Sequence, residues 1–167
     1  MRVYVPATMP MLRELVADRE LRAINDTAFA VTPALREAYA SGDDEELAEV
    51  AMQEAARASL RLLAEDQAAD NKPIYRRAVI AADVDGVTLR PDLDDAVVRL
   101  SAAIPYDRIA SIHVDLAEAE ADVAKAVDVI DAADMGDPDA EFVLGDAEDH
   151  QLAWYAAQEL PFLLELL

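Results

Sequence analysis

Apolar positions along this chain fall into two rhythms, and each predicts its own kind of element. Short apolar runs bounded by Pro, Gly or Asp read as strands. Apolar residues three and four apart read as helices. Arg2–Val5 is a first strand stopped by Pro6, and Thr8 caps a helix that tolerates Pro10 in its first turn. Met11, Leu12, Leu15 and Val16 form the buried side of that helix. Ala28–Val31 reads as a second strand, and Thr32–Pro33 starts a short helix that ends at Ser41–Gly42. Asp43 with Glu46 resembles a capping box and opens a longer helix to about Glu65. Leu47, Val50, Ala51, Ala55, Ala58 and Leu62 keep helical spacing there. Met52, Ala56, Leu60 and Leu63 widen the stripe, so this helix is expected at the centre of the fold.

The polar stretch Glu65–Pro73 is a loop, too short and too poor in Gly and Ser for a domain linker. Ile74–Asp83 is the clearest strand, Asp85–Gly86 a hairpin signal, and Val87–Leu89 a strand returning beside it. Asp92–Leu100 fits helix or strand equally. Ile109–Val114 is another strand, followed by an amphipathic helix over Leu116–Ala133 with Glu118, Asp122 and Lys125 facing water. An acidic loop then leads to a last helix from about Asp146, which Pro161 ends or kinks. No internal repeat is visible. The pattern predicts an α+β fold: one domain over residues 1–167, with a mixed sheet of about four to six strands packed with helices.

Composition narrows the function classes. Lys plus Arg number 14 against 35 Asp plus Glu, a formal net charge of −21. Such a surface repels phosphate backbones, so nucleic acid is not an expected partner, and Lys72, Arg76 and Arg77 are too few to reverse that. No apolar run is long enough to span a bilayer. The stretch MRVYVPATMPML carries no leader pattern, so no membrane partner and a cytoplasmic location are expected. With no cysteine, disulfides and thiolate metal sites are out. Neither a dinucleotide fingerprint nor a phosphate loop occurs, so no cofactor is expected.

Four stretches, MRVYVPAT, FAVTPALREAYASGDDEELAEVAMQEAARASLRLLA, IASIHVDLAEAEADV and EDHQLAWYAAQEL, resemble a small uncharacterised protein family of actinobacteria. The resemblance covers most of the chain. It implies a single-domain cytosolic protein and assigns no activity and no functional residues.

Three patterns carry candidate chemistry. In AVIAADVDGVTL an apolar strand ends in Asp-x-Asp-Gly, which is similar to the first motif of haloacid dehalogenase-like phosphatases. By that resemblance Asp83 is the nucleophile and Asp85 the general acid/base of a Mg²⁺-dependent hydrolase, with Asp146 of FVLGDAED as metal ligand. The chain departs from that pattern at Val114–Asp115, where a Ser or Thr is expected. It departs again at Lys125, which sits mid-helix, and at His150, where a carboxylate is wanted. A turn at Asp85–Gly86 and a helix cap at Asp146 account for the same residues structurally.

The second pattern is the acidic run Asp134–Glu141, whose Asp137, Asp139 and Glu141 suit calcium by type but lack the EF-hand register. His113 and His150 have no second histidine at ligand spacing, which speaks for structural hydrogen bonds. The third is an interaction surface: Trp154, Tyr155, Phe162 and Leu163, on or after the last helix, make an aromatic and leucine-rich end suited to a protein partner or a homodimer. Packing of this end onto its own domain is the alternative. The favoured expectation is a non-enzymatic interaction or regulatory protein, with the phosphatase as second choice and any small-molecule ligand unknown.

Overall fold

The computed structural model describes residues 1–166. Its framework is an antiparallel sheet of seven strands: β1 (Arg2–Ala7), β3 (Thr27–Phe29), β4 (Ala78–Asp83), β5 (Thr88–Leu89), β6 (Val97–Arg99), β8 (Ile109–Val114) and β9 (Ala153–Ala156). They lie in the order β5-β6-β3-β1-β4-β8-β9. A separate two-stranded ribbon joins β2 (Glu20–Leu21) to β7 (Ile104–Pro105). Every pairing is antiparallel, so the α+β class holds, while the sheet is larger than expected and not mixed. The strand added to the sheet, β9, has only four residues and the ribbon strands β2 and β7 two each, too short to show alternation in sequence.

Strand β1 runs through Pro6 rather than stopping there. Pro6 faces Val79 on β4, and pairing with β3 is confined to Tyr4–Phe29, so the missing N–H is not required on either side. The residues after the Asp85–Gly86 turn do not return beside β4. Gly86 takes φ +70°, and Thr88–Leu89 pair with β6 instead. The ambiguous segment is strand at Val97–Arg99.

Helix α1 (Met9–Asp18) follows β1, with Pro10 in its first turn and Met9, Leu12 and Leu15 buried. Helix α2 (Pro33–Ala38) starts as the sequence suggests: Leu35 N–H donates to Thr32 Oγ1 (3.1 Å). The Thr32 hydroxyl in turn donates to the Asp95 carbonyl. Helix α3 (Asp44–Ala68) is capped by Asp43, whose Oδ1 accepts from Glu46 N–H at 2.8 Å. Helix α4 (Glu120–Asp134) covers most of the predicted Leu116–Ala133 segment, the first residues forming a 3₁₀ turn.

The C-terminal region departs most from expectation. Helix α5 (Pro138–Glu148) begins in the supposed acidic loop, where Asp137 Oδ1 accepts from Asp139 and Ala140 N–H and Pro138 occupies the first turn. The predicted helix from Asp146 is therefore absent: Asp146 lies inside α5, and Trp154 and Tyr155 sit on strand β9. Pro161 does not end a helix but starts α6 (Leu160–Glu165).

Helices cover both sheet faces. Alternate residues Val3, Val5, Ala78, Ile80, Ile112 and Val114 face α1 and α6, where Leu12, Leu15, Leu160 and Leu163 complete the main core. Tyr4, Phe29, Val79, Ala81 and Val97 face α3 through Leu47, Ala51 and Ala55. Past the sheet, Leu60 and Leu63 of α3 pack on α4 and α5 around Val123, Ile130 and Leu144.

Candidate functional site

Beside the middle of α3, a cleft of about 590 Å³ opens between Gln53, Ala56 and Arg57 of that helix, Arg77 just before β4, His113 on β8, and the end of α5 with the turn behind it, Glu148–Leu152. Local folding explains its floor. Asp115 directly follows the apolar strand β8, and its carboxylate accepts from Arg77 three times, from the backbone N–H, Nε and Nη2, each at 2.8 Å. Arg77 Nη2 also donates to the His150 carbonyl at 2.9 Å, fixing the turn into β9. Both side chains are buried, at 4% and 0% exposure.

The cleft wall is set by α3. Arg57 donates from all three nitrogens to Asp134 and Glu141, and Arg61 joins at Asp134 (2.7 Å). These carboxylates hold the Arg57 guanidinium well above its ordinary value, the Glu141 hydrogen bonds first. His113 on β8 shares a 2.9 Å hydrogen bond between Nε2 and Ser111 Oγ. Burial, aided by the charge of Arg2, lowers its pKa, so the ring is neutral at pH 7. His150 Nε2 meets Asp122 Oδ2 at 2.8 Å.

The residues expected to work as a phosphatase are not assembled. Arg2 binds the Asp83 carboxylate through Nε and Nη2 (2.8 and 3.1 Å) and holds its pKa low. Asp85 meets Arg108 at 3.2 Å. Asp146 is in a helix rather than at a strand end, and among the described residues no three His, Asp or Glu side chains converge as a metal site. The acidic run is likewise engaged: Asp134 and Glu141 on Arg57, Asp137 as a helix cap. The small basic cluster is neutralised too, Arg76 by Glu120 and Arg77 by Asp115.

The four C-terminal residues divide between the two sheet faces. Leu163 is in the main core and Tyr155 packs against it. Trp154, 60% exposed, stands on the opposite face beside His113, and Phe162, 68% exposed, projects from α6. Leu167 lies outside the described residues. The cleft residues Arg57, Arg77 and Asp115 went unread as a group because their partners are distant in sequence. The one local signal was an Asp closing an apolar strand.

Fold and site together define an acidic α+β protein with a wholly antiparallel sheet, helices on both faces and a polar cleft beside the middle of α3. Residues 1–164 match the model described as a family of unknown function (DUF6912), and the chain belongs to that family. No curated protein and no solved structure matches it. Among the described residues no helix is long and apolar enough to cross a membrane.

Proposed function

We propose that this is a non-enzymatic interaction protein of the cytosol that self-associates through the open edge of its sheet at β9. The observation that carries this reading is the direction of the Ala156 N–H. It donates to Glu159 Oε1 at 2.9 Å, away from β8. Backbone groups alternate along a strand, so the Trp154 N–H and carbonyl also face outward, with Trp154 opposite His113 in a non-hydrogen-bonded pair. Glu159 blocks one outward donor of β9 and leaves that of Trp154.

A second copy fits such an edge. A two-fold axis at Trp154 lets the two residues exchange N–H···O=C bonds and sets their indoles side by side. Charge supports the same choice. At −21 the molecule repels its copy, yet Gln151–Gln158 contains no charged residue.

Sedimentation or light scattering tests the proposal. Wild type should give twice the 18.2 kDa chain mass at micromolar concentration. Trp154→Lys, which places a charge on the edge, should give a folded monomer with unchanged circular dichroism. A monomeric wild type, or a dimer that survives Trp154→Lys, overturns the proposal. Truncation after Leu160 is a poorer test because it removes Leu163 from the core.

A further inference from the structure

We propose that the cleft beside α3 is a binding site for a small organic cation that also carries a neutral acceptor oxygen, such as an amino-acid amide. The site is independent of self-association at β9. Its volume of about 590 Å³ is within the range of roughly 300–1,000 Å³ usual for small-molecule pockets. The first support is Arg77. Its Nε and Nη2 hydrogens are all directed to Asp115 and the His150 carbonyl, while Nη1 has no acceptor among the described residues. Nη1 is the end of the guanidinium away from Asp115, and Arg77 lines the cleft. A side chain 96% buried thus keeps two donors without a protein partner, and because Nη1 is not among the buried unpaired polar atoms it is open at the cavity surface, where water or a ligand can accept from it.

Charge then selects the ligand. Asp115 neutralises Arg77, and two carboxylates neutralise Arg57, so neither arginine offers net positive charge to an anion. Glu49, Glu148 and Asp149 line the same cleft with no ion-pair partner among the described residues. An acceptor oxygen is therefore wanted at the floor and a positive group at the rim. Between them Met52, Ala56, Leu60 and Leu152 supply an apolar wall for an aliphatic stem. The neutral His113 and the amides of Gln53 and Gln151 add uncharged polar contacts.

The test is a titration of the full-length, ¹⁵N-labelled protein with three probes: lysinamide, acetamide and succinate. Lysinamide should shift the backbone amides of Arg77, His113 and Gln151 and saturate. Acetamide should shift the same signals only weakly, and succinate should leave them unmoved. In the exposed double variant Glu148→Gln/Asp149→Asn, checked for an unchanged melting temperature, lysinamide should bind about tenfold more weakly. Overturning results are lysinamide shifts confined to residues outside the cleft, succinate binding as well as lysinamide, or undiminished affinity in the double variant.

Discussion

At the scale of single residues, the Arg77–Asp115 pair decides the most. Two charges removed from water are stable only when nearly all their hydrogen-bonding capacity is met, and Asp115 meets it with three contacts of 2.8 Å. Removing one partner leaves the other charge buried and unpaired. Asp115→Ala should therefore cost about 3–5 kcal/mol, read from urea unfolding. Asp115→Asn should cost less because it retains acceptor oxygen at the same place. The joint change Arg77→Met/Asp115→Leu should cost less than the single Asp115→Ala, since no lone charge remains. Arg77 lies in a stretch predicted as strand from Ile74, yet the ladder begins only at Ala78. Neighbours far along the chain, Asp115 and His150, gave it a role that no local pattern carries.

Among elements, α3 does the most to hold the parts together, and one hydroxyl shows how. Ser59 Oγ donates to the Ala7 carbonyl (2.8 Å) and accepts from Ala78 N–H (3.2 Å). Those two residues face each other at the end of the β1–β4 ladder, so the helix inserts a side chain where the strands part. Ser59 is wholly buried. Ser59→Ala leaves both backbone groups without their partner and should cost about 1–3 kcal/mol, measured as a lower urea midpoint. Ser59→Cys restores size with a weaker donor and should fall between. The stripe of Ala and Leu made α3 legible as a buried helix. The serine within it was the visible sign of a contact whose partners only the fold supplies.

Over the whole molecule, the dominant quantity is charge. Acidic residues number 35 against 14 basic ones, and several of the carboxylates held by arginine have their pKa lowered by it. Asp134 is held low by its hydrogen bonds to Arg61, then by Arg57, and Asp83 by Arg2. A lowered folded-state pKa gives stability that is present above the unfolded value, about 3.9 for Asp, and lost as pH falls through the folded one. Glu54 has the opposite sign: burial raises its pKa, so its contribution is full below the unfolded value and disappears as pH rises through the folded one. Unfolding curves taken downward from pH 7 should show wild type losing stability below about pH 4. Asp134→Asn should be less stable at pH 7 and lose less on acidification. Glu54→Gln should be slightly more stable at pH 7, with that advantage vanishing in acid.

The sequence by itself determined the α+β class, the long central helix, the capped starts of α2 and α3, and strands β1, β4 and β8. These depend on periodicity and on caps, which act within a few residues and can be read in order along the chain. Asp137–Pro138 carried the same cap-plus-proline signal for α5, but the Gly145–Asp146 step and the late Pro161 drew the helix to the wrong place. Tertiary structure decided the remainder. Strands of two to four residues, such as β5, β6 and β9, form because a neighbour offers a ladder, and their own residues do not announce it. The cleft and the open edge likewise combine residues separated by dozens of positions, as with Arg57 and Glu141, Arg77 and His150, or His113 and Trp154. Burial and pairing over such distances depend on how the faces pack, and that is a property of the folded chain alone.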